Sequence, residues 1–287
     1  MLEKRNWYDV IDEWYRHNVD GILRHSTCRG YDLAIRQIKE RMPNYKITEI
    51  DELRLQEVLN SMATSSYSKS SVNKVKIVMN SVIHYALLHH YIDQNPIYRL
   101  TIPKNAHEGK VEALSVEEQS VIEEYCSTRN NLKDKATLFL LNTGLRASEL
   151  YNLKWEDYHK YNQTSYITIS KSKTENGNRI VPLNATAENI IHQLPQKLGT
   201  YVFTYNSGKL TETIMSDHNK HIRTVTGISP FTNHICRHTF ATRALEKGMN
   251  PKALSKILGH SSVAFTMSRY TTISKDYIFE QMRLIDF

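Results

Sequence analysis

The chain has few of the residues that carry chemistry in many other enzymes. Its 287 residues include three cysteines, Cys28, Cys126 and Cys236, odd in number, far apart and without a C-x-x-C spacing. That pattern excludes a disulfide framework and a cysteine-built zinc site, and reads as free thiols in a reducing compartment. No apolar run approaches the roughly 18 residues that span a bilayer. The opening MLEKRNWYDVIDEWYRHN is too polar for a secretory leader, so a cytoplasmic location and no membrane partner are expected. Glycine-rich phosphate loops of Walker or dinucleotide-binding spacing are missing, as is a G-x-S-x-G elbow. Nucleotide hydrolysis and esterase chemistry therefore have nothing to rest on. His234 and His238 stand one helical turn apart, but Ile235 follows His234 where H-E-x-x-H needs glutamate, and no Cys or carboxylate lies at ligand spacing. No metal and no other cofactor is expected.

What is present is an ordinary soluble composition, 40% hydrophobic and 23% charged, able to bury a core. Lysine and arginine outnumber aspartate and glutamate by 37 to 30, a net charge of +7 that favours a polyanionic partner. Length predicts two domains. The break falls at NPIYRLTIPKNAHEGKVEALS, where Pro96 and Pro103 stop helices and KNAHEGK is polar. The expected division is a helical domain over 1–103, a linker over 104–113 and a second domain over 114–287.

The first part reads as helical throughout. Trp7, Val10, Ile11 and Trp14 make one apolar stripe, and so do Val72, Val75, Met79, Val82 and Ala86. On the second of these helices Lys69, Asn73, Lys76 and Asn80 line another face. This ladder of cations and amides suits phosphates and base edges, and it is equally what a solvated face looks like. The second part mixes element types. Ser115 and Glu118 form a capping box, and TLFLLNTG is a buried helix ending near Gly144. SYITISKSKTENGNRIVPL reads as a β-hairpin, with Tyr166, Ile167 and Ile169 on one arm, Ile180 and Val181 on the other, and Asn176-Gly177 as the turn. Helices return after Pro182. In NPKALSKILGH, Asn250 suits the N-cap, Pro251 the first helical position and Gly259 the C-terminal cap. The fold class is mainly α with a small antiparallel sheet.

Four clusters remain once core and caps are assigned: Arg146 with Glu149, a hairpin lysine (Lys171 or Lys173), His234 with Arg237 in HICRH, and His260 with Tyr270 in LGHSSVAFTMSRY. Taken singly, each has a structural reading. Taken in order, TGLRASEL, SKTENGNRIVPL, HICRH with TFAT, LGHSS and SRYTT resemble the tyrosine recombinase (phage integrase) family. The likeness covers essentially the whole chain, because the helices upstream resemble the family's core-binding domain.

The resemblance implies a core-binding domain followed by a catalytic domain of the DNA breaking-rejoining type. It implies that Tyr270 attacks a DNA phosphodiester, leaving a 3′-phosphotyrosyl link and a 5′-hydroxyl. Arg146 and Arg237 match the two arginines that grip the non-bridging oxygens. Lys173 matches the lysine that protonates the leaving 5′-oxygen, with Lys171 as the competing assignment. His234 and His260 match the family histidines, one assisting proton movement at the tyrosine and the other bonding a phosphate oxygen. Glu149 matches an acidic position that orients its neighbours. The implied partners are double-stranded DNA, further copies of the chain in a tetrameric synapse, and accessory DNA-bending or directionality proteins. The implied setting is the nucleoid of a prokaryotic or phage host cell.

These roles make chemical sense. Attack on a phosphodiester adds charge to oxygens that are already anionic, and guanidiniums meet it with paired, fixed donors. The segment TTISKDYIFEQMRLIDF carries Ile278, Phe279, Met282, Leu284 and Ile285, suited to a helix that docks on a neighbouring protomer or on its own domain. Many family members carry a further N-terminal arm-binding domain. Here the helical pattern begins almost at Met1, as expected of a Xer-type resolvase or a DNA invertase, or of a chain shortened at its start. The main expectation is the integrase of a phage or mobile element. The alternatives are a Xer-like resolvase or invertase, a type IB topoisomerase-like enzyme, and a DNA-binding module without catalysis.

Overall fold

A computed structural model of the chain describes residues 5–108, 112–129, 131–170, 178–197, 199–206, 208–260 and 262–264. Two compact units, Met1–Lys110 and Val111–Phe287, divide it.

The first unit holds α1 (Trp7–Asn18), α2 (His25–Arg41), α3 (Glu52–Thr64) and α4 (Lys69–Leu88). Trp7, Val10, Ile11 and Trp14 are buried along α1, as their spacing predicts. Asp51 and Ser68 cap α3 and α4 by accepting from the backbone of Arg54 and Ser71. α4 buries more than its five-residue stripe, adding Val78, Ile83 and Tyr85, because α1, α2 and α3 all pack against it. A helix met from several sides needs a wider apolar face than one lying on a surface.

The expectation of helix up to residue 103 is corrected beyond α4, since no helix follows His89 among the described residues of this unit. Prolines 96 and 103 remove backbone donors, and side chains of α3 tie the extended chain down instead. Glu52 accepts from the backbone N–H of Tyr98 and of Arg99, and Gln56 exchanges bonds with both N–H (2.9 Å) and C=O (3.0 Å) of Thr101. Residues 104–108 of the expected linker are also bound here, through Lys69 N–H to His107 C=O at 2.8 Å.

In the second unit, α5 (Val116–Arg129) opens on the reciprocal box of Ser115 and Glu118, with bonds of 2.8 and 3.1 Å. The central helix, α6 (Leu132–Thr143), packs on α5, on α8 (Ala185–His192) and on α10 (Asn233–Glu246). Short α7 (Ala147–Asn152) leads into a three-stranded antiparallel sheet of β1 (Tyr158–Tyr161), β2 (Thr164–Ile169) and β3 (Arg179–Pro182). Ile167 pairs with Val181 on the core face, and Ile169 pairs with Arg179. β1 is an addition to the expected hairpin, turned by Asn162 at a positive φ of 53°. A two-stranded ribbon, β4 (Thr204–Tyr205) and β5 (Gly208–Lys209), interrupts the helices expected after Pro182, before α9 (Glu212–Thr226) and α11 (Pro251–Leu258). Asn250 caps α11, accepting from Lys252 and Ala253, with Pro251 at its first position.

Cys126 and Cys236 are buried in this unit's core. Burial, more than anything else, pushes both thiols up, Cys236 to about 12, so neither is a nucleophile near neutrality. Among the described residues no helix is long and apolar enough to cross a membrane.

The cap of α6 is a sensitive point. Gly144 sits at φ +64°, and a Cβ added there would lie 2.4 Å from Phe240 Cδ1 and 2.9 Å from Leu258 Cδ2. Left-handed backbone costs an L-residue roughly 1–2 kcal/mol, and overpacking adds about 1–3 kcal/mol. Gly144→Ala is therefore expected to lower the thermal midpoint by several degrees in a calorimetric scan. An unchanged midpoint would show that this packing is slack.

Candidate active site

Two helix ends organise the site. α6 closes on Gly144 and α11 on Gly259, both left-handed. The last carbonyls of a helix have no intrahelical donor and carry partial negative charge, so they suit cations. Arg237 of α10 donates to both ends, Nη1 to the Gly144 carbonyl and Nη2 to the Leu258 carbonyl, each at 2.7 Å. At 3% exposure its fork is held in place from two elements. Arg146, the residue before α7, comes in beside it. Its Nη2 donates to the Gly259 carbonyl and its Nη1 to Glu149 Oε1, both at 2.9 Å, and its backbone N–H donates to Glu149 Oε2 at 2.8 Å. Successive carbonyls of α11 therefore hold the two arginines, and the Arg146 side chain stays 39% exposed.

Burial alone would raise the pKa of Glu149. Hydrogen bonds and charge from Arg179, and then bonds from Arg146, outweigh burial and hold it below the usual carboxylate range. The stability this carboxylate contributes is present above the ordinary glutamate pKa and is lost as pH falls through the lowered value. His260 follows Gly259. Burial first, then the charges of Arg237, Arg146, Arg179 and His238, push its imidazole down to about 4, so it is neutral near pH 7. On α10, Nε2 of exposed His234 lies 3.0 Å from Nε2 of buried His238, with the rings perpendicular at 88°. One ring must donate to the other, so a proton lies between them.

Arg146, His234, Arg237 and His260 line one groove of about 690 Å³. The lining carries three guanidiniums, Arg146, Arg223 and Arg237, against one carboxylate, Glu212, while adjoining Arg179 and Glu149 pair with each other, so the groove is cationic and suited to an oxyanion. Among the described residues no group of three His, Cys, Asp or Glu could hold a metal ion.

The family model for phage integrases matches residues 113–276, more than half of the chain. The chain belongs to the phage integrase family. Tyrosine recombinase XerD of Listeria innocua is 30% identical over 93% of this chain and 95% of that protein. The Tn1549 transposon integrase in complex with a circular intermediate DNA has the same fold, with a TM-score of 0.76, 22% identity, and 96% of this chain and 98% of that one covered. A lambda integrase tetramer bound to a Holliday junction gives a TM-score of 0.74 at 17% identity, over 95% and 80% of the two chains. As a tyrosine recombinase, the chain is an enzyme of DNA breakage and rejoining.

Of the family positions read from the sequence, Arg146, Glu149, His234, Arg237 and His260 come together. Lys171, Lys173, the Asn176-Gly177 turn, Tyr270 and the apolar segment after it lie outside the described residues. The Lys69 ladder belongs to the first unit. There Asn73 is exposed, Lys76 and Asn80 are half-buried, and Lys69 is paired with Glu108 at 2.7 Å.

Two features of the site escaped the sequence reading. Arg179, only 6% exposed in its side chain, pairs through both its Nη atoms with Glu149. Its signal was the strand period of two, which puts residue 179 on the same inward face as Val181. The other is the polar face of α9, where Glu212, Ser216, Asn219 and Arg223 line the same groove. Their spacing of four, three and four was legible, beside the buried Met215 and Ile222.

Proposed function

We propose that the chain is a site-specific recombinase that cuts and rejoins double-stranded DNA through a phosphotyrosyl intermediate. Tyr270 attacks a phosphodiester, joins the 3′-phosphate and releases a 5′-hydroxyl. Arg146 and Arg237 bind the non-bridging oxygens, and His260, neutral at working pH, hydrogen-bonds one of them. His234, sharing a proton with His238, assists the phenol in losing its own. Lys173, or Lys171, protonates the leaving oxygen, and Glu149 orients Arg146. The observation that carries this reading is the pair of arginines fastened to successive carbonyls of α11, in one groove with both histidines. Fixed donors aimed at developing charge are worth roughly 3–4 kcal/mol each in acyl-transfer enzymes, and the same physics applies to a phosphorane.

The bond energy kept in the phosphotyrosine lets a new 5′-hydroxyl reseal the strand, so exchange replaces hydrolysis. Four copies on two duplexes would complete it, with accessory DNA-bending proteins assisting. In this reading the chain works on cytoplasmic, nucleoid DNA, and Asn73, Lys76 and Asn80 meet the duplex. Likeness to the Tn1549 and lambda integrases supports an integrase of a mobile element or phage. The match with XerD at nearly equal length favours a second reading, a resolvase or invertase.

A nicked duplex built from paired inverted repeats flanking the gene, and an unrelated supercoiled plasmid, separate the possibilities. A protease-sensitive adduct on the nicked duplex alone is expected. Relaxation of the plasmid would replace this proposal by a topoisomerase, and the absence of any adduct by a DNA-binding module.

A further inference from the structure

We propose that Arg179 is a positioning residue of the cleavage site, a clamp that fixes Glu149 and the end of α11 so that Arg146 meets the scissile phosphate at one angle. The inference rests on reading Arg146 as a phosphate ligand.

Three consecutive carbonyls at the end of α11 each take a different arginine. Ile257 accepts from Arg179 Nε at 2.5 Å, Leu258 from Arg237 Nη2 at 2.7 Å and Gly259 from Arg146 Nη2 at 2.9 Å. Arg179 alone of the three is not part of the groove lining. Its work is directed at the groove's supports. Each oxygen of Glu149 takes one bond from each of two arginines. Oε1 accepts from Arg146 Nη1 and Arg179 Nη1, both at 2.9 Å, and Oε2 from the Arg146 backbone and Arg179 Nη2, both at 2.8 Å. The clamp therefore joins β3 to α7 and to α11.

Glycine at 259 fits this arrangement twice over. Its φ is +66°, and a Cβ there would stand 3.0 Å from Arg179 Nη1 and 3.2 Å from Cζ, so the guanidinium lies against bare backbone. Without Arg179, a carboxylate that is only 8% exposed would keep one cation, Arg146, and would draw that fork inward, away from the phosphate. A lysine could restore charge but not three donors in one plane.

The test is single-turnover cleavage of the nicked duplex at saturating protein, beside duplex binding by band shift. Arg179→Met and Arg179→Lys are both expected to cleave roughly 10–100-fold more slowly while binding within about 3-fold of wild type. A merely charge-balancing role would be rescued by lysine, so Arg179→Lys cleaving at the wild-type rate overturns the clamp. Should Arg179→Met fail to fold, the Glu149→Gln/Arg179→Met pair removes both buried charges. It is expected to cleave more slowly than Glu149→Gln alone, and equal rates would overturn the proposal. No adduct from the wild-type chain sinks the recombinase reading, and this one with it. A wild-type adduct matched in rate by Arg179→Lys sinks only the clamp.

Discussion

With phenylalanine in place of Tyr270, the chain is expected to bind its duplex with near-normal affinity and to form no covalent complex at all. In the proposed mechanism the loss is absolute, because the phenolic oxygen would be the atom that bonds phosphorus and no slower route would lead to the same adduct. Binding survives because phosphate contacts from many cations dominate it, and one hydroxyl contributes only about 1 kcal/mol. A denaturing gel of the nicked-duplex reaction, set beside a band shift, measures both. The rival inside the described groove is Tyr151. Its hydroxyl accepts from Asn233 Nδ2 at 2.8 Å, and burial first, then Glu212 and Cys236, pushes its pKa up to about 12. A phenol so hard to ionise is a poor nucleophile, so Tyr151→Phe should keep the adduct. An adduct that survives Tyr270→Phe and disappears with Tyr151→Phe would reverse the assignment.

Local chemistry was what the residues disclosed. The box of Ser115 and Glu118, the glycine ends of α6 and α11, Asn250 before Pro251, and Arg146 three residues ahead of Glu149 all act within one helical turn. Each is therefore readable in a short window. What escaped depends on partners distant in sequence. Arg179 finds Glu149 30 residues away and Ile257 78 away, and a window around NRIVPL contains neither. β1 escaped because YHKY has no alternation of its own and is a strand only through β2. The extended run after α4 was hidden for a similar reason, since Glu52 and Gln56 of α3 supply the bonds that a helix would have made. Order along the chain pointed to the family, while the way the arginines are held became visible only in three dimensions.

That way of holding them separates two variants that sequence alone would treat alike. Arg146→Ala and Arg237→Ala should each slow single-turnover cleavage by roughly 10²–10³-fold, the cost of removing one preorganised donor from an anionic transition state. Their stabilities should diverge. Arg237 is buried, and its loss strands the carbonyls of Gly144 and Leu258. An orphaned buried acceptor costs about 1–3 kcal/mol, so Arg237→Ala should melt well below wild type. Arg146 is more than a third exposed and leaves behind Glu149, which Arg179 still neutralises, so Arg146→Ala should lose much less. Thermal melts beside cleavage by the folded fraction give both quantities. If Arg146→Ala cleaved within 10-fold of wild type, its guanidinium would be a brace for Glu149 and not a ligand of the phosphate. Arg237 would then have to carry the oxyanion alone, while also holding the carbonyls of Gly144 and Leu258.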